Sequence, residues 1–204
     1  MIIIIDYGIG NLASIDNMFK KVGVAAKISC DQSLINKADK LVLPGVGAFD
    51  HGMDNLRNSG LIAILNEKVI NQKVPILGIC LGMQLMTLKS EEGVLPGLGW
   101  IDAETVRFKF DHHQSNLKIP HMGWNTLNIR KDTNLFNGIE QEPRFYFVHS
   151  YHVVCKDEVA TLTKTKHGHE FVSSFTKNNM TGVQFHPEKS HKYGINFLRN
   201  WAFS

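Results

Sequence analysis

Cysteine is scarce in this 204-residue sequence, long apolar runs are missing, and neither sign of charge dominates. The three cysteines, at positions 30, 80 and 155, are odd in number and irregular in spacing. That excludes a disulfide framework and suits a reducing, cytoplasmic compartment. No stretch approaches the roughly 18 uninterrupted apolar residues of a membrane span. The opening MIIIID has no basic segment ahead of its apolar run, which stops at Asp6, so it reads as a buried strand and not as a leader. Lysine and arginine total 22 against 19 acidic residues, for a net charge of +3. These cations form no stripe, so nucleic acid is not an expected partner. Neither C-x-x-C nor H-E-x-x-H spacing occurs, and no metal or other cofactor is expected. Linkers, repeats and low-complexity stretches are also missing, which leaves residues 1–204 as one domain.

What is present is an ordinary globular composition, 43% hydrophobic and 20% charged. The first half alternates strand and helix signals. The β-branched run at 2–5 has the pattern of a strand buried on both faces. Residues 11–22 place apolar side chains at 12, 15, 18, 19 and 22, which is helical spacing. Strands follow at 24–29, 40–45 and 75–79, and helices at 61–70 and 81–88. This βαβ rhythm predicts an α/β fold with a mostly parallel sheet and helices on both faces. The second half is β-rich, with strands predicted at 100–110, 122–129, 144–154, 158–166, 170–175 and 181–186. HGHE and KNN read as hairpin turns, the polar DHHQSN as a solvated loop, and KYGINFLRNWAF as a closing helix.

The segment ILGICLGMQ sets Cys80 between Gly78 and Gly82, after an apolar strand and before a helix. This is a thiol counterpart of the G-x-S-x-G nucleophile turn. Larger side chains at 78 or 82 would collide with the neighbouring strand and helix. The turn would present the sulfur at the C-terminal edge of the sheet and at a helix N-terminus, which favours a thiolate. The Leu81 N–H would then point toward an oxyanion. A small buried cysteine in a strand-to-helix turn is the plainer reading of the same stretch.

A thiol nucleophile needs an imidazole, and the imidazole needs an orienting group. GVQFHPEKS supplies both. Pro187 forces His186 to be extended, so His186 and Glu188 project to the same side. LVLPGVGAF runs a strand into a glycine-rich loop whose N–H groups could complete an oxyanion site. A rival motif lies at 8–13, where GIGNLA, with Asp31 about twenty residues on, matches a dinucleotide-binding fingerprint through Gly8 and Gly10. An NAD-dependent oxidoreductase would leave Cys80, the PGVG loop and the His-Pro-Glu segment without a role.

PGVGAF, GICLGMQL and GVQFHPEKS together resemble the triad-type (class I) glutamine amidotransferases. PHMGWN and YFVHSYH resemble, within them, the glutaminase subunits that serve a cyclase in histidine biosynthesis. The likeness spans essentially the whole chain. It implies a three-layer, flavodoxin-like fold, with L-glutamine as substrate. It implies a Cys80, His186 and Glu188 triad and an oxyanion site at Val46, Gly47 and Leu81. It also implies glutamine contacts at Gly45, Gln84, His149, Ser150 and Tyr151. The implied partner is a (β/α)8-barrel cyclase subunit in a heterodimer, facing Asn11, Met122, Trp124 and Lys189. Because a glutaminase running alone wastes ammonia, the oxyanion loop is expected to form fully only with that partner. Departures at Trp100–Ile101 and 165–171 keep open a paralogue that feeds another acceptor, as in surface-polysaccharide sugar amidation.

Overall fold

The computed structural model describes residues 1–110, 117–139 and 142–204. The first half comprises β1 (Ile2–Ile5), α1 (Leu12–Val22), β2 (Ala26–Ser29), α2 (Gln32–Asn36), β3 (Lys40–Gly45), α3 (Phe49–Asn58), α4 (Ile62–Asn66), β4 (Ile76–Cys80) and α5 (Leu81–Leu85). Next come β5 (Lys89–Ser90), β6 (Ala103–Arg107), β7 (His121–Thr126), β8 (Asn128–Ile129), β9 (Arg144–His149) and β10 (Tyr151–Cys155). The chain closes with β11 (Thr161–His167), β12 (His169–Lys177), β13 (Met180–Val183) and α6 (His191–Phe203).

The main sheet runs β2-β1-β3-β4-β13-β12-β10-β6-β5, with β11 and β8 branching from β12. Its β2-β1-β3-β4-β13 portion is parallel throughout. The β13-β12-β10-β6 portion is antiparallel. All four side chains of β1 are buried, because the sheet is covered on both faces. One core packs α3 and α4 against the sheet through Phe49, Met53, Leu56 and Leu65. The other packs α1 and α6 through Ile15, Phe19, Phe197 and Trp201. Helix α1 ends at Gly23, whose φ of 80° lets its N–H return to Lys20 O while Val24 N–H reaches Phe19 O.

Several expectations change. The strand predicted at 181–186 ends at Val183, and Pro187–Lys189 forms a 3-10 turn, so Glu188 reaches His186 from that turn and not by extended alternation. The strand predicted at 144–154 is two strands broken at Ser150. β9 pairs with β7 in a separate two-stranded sheet, and β10 enters the main sheet between β12 and β6. The strand predicted at 100–110 is confined to β6, because Trp100 and Ile101 turn inward and donate their N–H groups to Met86 O. Helices α2 and α3 were not foreseen. α2 starts at a genuine cap, Asp31 accepting from Ser33 N–H at 2.7 Å, and α3 hides its apolar stripe in a polar stretch. The DHHQSN stretch lies outside the described residues.

Candidate active site

Strand β4 is the middle of the construction. On one side Gly45, the end of β3, is the register partner of Cys80. On the other side Val183, the end of β13, pairs with Ile79, so Gln184 comes level with Cys80 and His186 lies two residues beyond. Three separated motifs therefore meet at the C-terminal edge of a parallel sheet, where open α/β folds bind ligands.

Cys80 has φ 53° and ψ −110°, an uncommon conformation for any residue with a side chain. The neighbouring glycines make the turn possible. A Cβ on Gly82 would strike the Leu43 carbonyl, and one on Gly78 would sit 2.6 Å from Met86 Sδ and 2.9 Å from Gly82 O. A Cβ on Gly45 would lie 2.7 Å from the Tyr7 hydroxyl and 2.9 Å from Leu81 Cβ, so the loop and the turn touch only because Gly45 has no side chain. Gly47 has φ 96° and open space around it.

His186 and Glu188 are packed away from water, with His186 Nδ1 2.7 Å from Glu188 Oε1. His186 Nε2 is buried and has no protein hydrogen-bond partner among the described residues. Burial alone would lower the His186 pKa. The electrostatic pull of the nearby Cys80 sulfur, joined by Glu188, outweighs that and raises it to about 10. The Cys80–His186 contact is looser than an aligned hydrogen bond, as catalytic contacts often are before substrate arrives. Tyr7 is buried nearby and donates to Pro44 O at 2.6 Å, at the root of the glycine loop. Burial first, and the Cys80 charge second, push its phenol upward.

A cleft of about 700 Å³ opens over Cys80. Its walls include Asn11, Val46, Gly47, Leu81, Gln84, His149, Ser150, Tyr151, His186 and Lys189 from the sequence-derived set. Gly45 lies beneath the loop and Glu188 behind His186. Met122 and Trp124 sit outside the cleft wall, 62% and 40% exposed on β7. Trp124 stacks on His191 with centroids 5.5 Å apart, and Lys189 lies 5.7 Å over the Tyr146 ring. His149 reaches the cleft, yet both its ring nitrogens are engaged, one with Tyr151 O at 2.8 Å and one with His121 at 2.9 Å.

Two residues escaped the sequence reading. Among the described residues lining the cleft, Glu92 is the one carboxylate. It accepts from Phe49 N–H at the start of α3, and desolvation raises its pKa. Nothing in its Glu-Glu-Gly context marks it. Gln184 is fully buried, with Nε2 3.6 Å from Cys80 Sγ. The strand ends at Val183 and the backbone bends at Gln184 and Phe185, so alternation along the sequence did not mark it.

The dinucleotide reading loses its cradle. Gly8 and Gly10 have φ of 85° and 115°, and a Cβ on Gly10 would also meet Pro44 at 3.3 Å, so the local turn and its packing account for both glycines. Asp31 is occupied as a helix cap.

A thiol at φ 53° on a glycine turn, an imidazole held by a carboxylate and a glycine-bearing loop meet at one cleft, the arrangement of an acyl-transfer enzyme. The chain belongs to the class-I glutamine amidotransferase family, whose pattern it matches over residues 3–204. It is 54% identical over 201 residues to imidazole glycerol phosphate synthase subunit HisH 2 of Methanococcus maripaludis, covering 98% of each chain. It is 48% identical over 202 residues to subunit HisH 2 of Pseudomonas aeruginosa, covering 99% of this chain and 98% of that one. With subunit HisH 1 of Campylobacter jejuni the identity is 50% over 203 residues, covering 99% of both. Those names are of subunits in a larger synthase. In fold the chain is similar to a PurLQS structure from Thermotoga maritima, with TM-score 0.73, 18% identity and 99% and 97% of the two chains covered. No helix among the described residues is long and apolar enough to cross a membrane.

Proposed function

We propose that this chain acts as one domain, the glutaminase subunit of an imidazole glycerol phosphate synthase, making ammonia for a (β/α)8-barrel cyclase in histidine biosynthesis. The observation that carries the reading is the register that sets Gly45 and Gln184–His186 on either side of Cys80. The Cys80 sulfur attacks the side-chain amide carbon of glutamine. Leu81 N–H and the Val46–Gly47 loop hold the oxyanion. His186 protonates the departing ammonia, then takes a proton from the water that hydrolyses the γ-glutamyl thioester. Glu188 keeps the ring oriented and charged. Gln84 and the 149–151 backbone hold glutamine, and Glu92 suits its α-ammonium by charge.

Asn11, Met122, Trp124 and Lys189 form the cyclase face of the heterodimer. Exposed large apolar groups beside the cleft support that. A cytoplasmic setting agrees with three free cysteines. The test is glutamate release from glutamine, by the chain alone and with a histidine-pathway cyclase and its nucleotide. A large increase with the pair, lost in Cys80→Ala, is expected. A reactive Cys80 with no response to that cyclase would keep the glutaminase chemistry and reject this acceptor. Equal rates with and without the cyclase would reject a partner-completed oxyanion site.

A further inference from the structure

We propose that Gln184 donates the hydrogen bond that holds the Cys80 sulfur as its anion, and that the Tyr151 carbonyl dictates which end of Gln184 meets that sulfur. The proposal rests on Cys80 being the nucleophile of the reading above. An amide beside a sulfur can turn either way, with opposite effects. Its N–H₂ stabilises a thiolate, whereas its oxygen repels one.

The protein leaves no choice. A backbone carbonyl only accepts, and Tyr151 O lies 3.2 Å from Gln84 Nε2. The same Gln84 Nε2 lies 3.0 Å from Gln184 Oε1, so both its hydrogens are used. Gln184 must then offer oxygen to Gln84 and nitrogen to Cys80 Sγ, at 3.6 Å. Reversing Gln184 would set two N–H₂ groups against each other in a site where Gln184 is 0% exposed.

Tyr151 O is itself held from the other side. His149 Nδ1–H donates to it at 2.8 Å, which leaves His149 Nε2 to accept from His121 Nδ1–H at 2.9 Å. His121 Nε2 then accepts from Asn125 Nδ2 at 3.1 Å, and Asn125 also donates to Lys166 O at 2.9 Å. Every proton from Asn125 to Tyr151 is thereby assigned, with both rings neutral. Burial agrees, pushing His121 down to about 4, with His167 adding, and His149 well below the usual histidine range. The chain begins on β7, the strand that exposes Met122 and Trp124. His149, His121 and Asn125 are positioning residues, and of this network only Gln184 touches the reacting sulfur.

The test is alkylation of Cys80 by iodoacetamide as a function of pH, read on the Cys80 peptide by mass spectrometry so that Cys30 and Cys155 do not contribute. Gln184→Met keeps the length and burial but has no N–H. It is expected to slow alkylation at neutral pH about tenfold and to move the profile to higher pH. Gln184→Glu keeps an acceptor for Gln84 and the same shape, and is expected to slow it further. His149→Phe should give a smaller slowing that disappears in the Gln184→Met background, which a purely structural role would not produce. An unchanged profile in folded Gln184→Met overturns the proposal. If that variant does not fold, alkylation of Gln184→Glu as fast as the parent does the same. Glutamate release is measured alongside. Loss of release from a parent protein whose Cys80 still depends on Gln184 would count against the glutaminase reading and leave the donor assignment standing.

Discussion

Cys80 is held where a side chain rarely sits, at φ 53°, and two carboxylates stand near it in different settings. Glu188 is buried against His186 Nδ1 and adds to the rise in the imidazole pKa that the Cys80 sulfur chiefly causes against burial, so its charge works through the ring. Glu188→Gln retains an acceptor and removes the charge. The imidazolium should then lose its proton at lower pH, and the alkaline limb of activity should shift downward. With that shift, kcat should fall about 10²-fold while KM stays near its parent value. Steady-state glutaminase kinetics across pH, with the cyclase present, separate this from simple misfolding. Glu92 faces the cleft from another direction. Glu92→Gln should raise KM for glutamine about tenfold or more, with a smaller effect on kcat, because it removes a charge-assisted contact made equally in ground and transition states. An unchanged KM would remove Glu92 from the glutamine site.

At the scale of elements, the site is a junction between β3, β4 with α5, and the end of β13, and its tolerance is set by glycine. Gly82→Ala would drive a methyl into the Leu43 carbonyl, which belongs to the central sheet and cannot move away. A loss of at least about 3 kcal/mol is expected, measured by denaturant unfolding, whereas Gly47→Ala should cost about 1 kcal/mol, for its φ alone. These junctions were legible in the sequence because each motif is local: a glycine–thiol turn, a Pro–Gly loop, and a His-Pro-Glu segment whose pairing was foreseen although Pro187–Lys189 forms a 3-10 turn and not the expected extended backbone. The parallel half was legible for the same reason, since strands buried on both faces read as continuous apolar runs. The break at Ser150 was not. Residues 144–154 alternate like one strand, and only the competition between β7 and the main sheet for its two halves divides it. Glu92 and the two engaged nitrogens of His149 were equally invisible, because long-range packing decides where those side chains turn. Gln184 stood within GVQFHPEKS but could not be read by alternation, because the strand ends at Val183 and the backbone bends at Gln184 and Phe185 before the 3-10 turn that carries Glu188.

The whole molecule joins a parallel half, which carries the nucleophile, to an antiparallel half that surrounds Phe108 with imidazoles. Rings of His121, His149, His152, His167 and His169 lie 4.6 to 6.4 Å from it, centroid to centroid. Burial first lowers three of these. His121 falls to about 4, with His167 opposite it adding to the shift. His152 also falls to about 4, with His169 lowering it further and the Val153 carbonyl and Glu91 pulling the other way. His149 falls well below 6.5, with His121, His152 and His167 adding. A histidine with a depressed folded pKa binds its proton in the unfolded chain first. From pH 6.5 down to about 4, therefore, the unfolded state carries more protons and stability falls as pH falls. His186 does not offset this. Its folded pKa is raised, so below 6.5 both states are protonated, and its stabilising effect is lost only as pH climbs toward about 10. Unfolding near pH 5 should thus take up about three protons from this cluster, giving an acid-side loss of melting temperature that begins well above the carboxylate range. Calorimetry across pH checks it. His152→Phe should flatten the slope between pH 6.5 and about 4 by roughly a third. A melting temperature that stays level until carboxylates titrate would mean that the imidazoles are wet, and that the cage around Phe108 opens to water on its own.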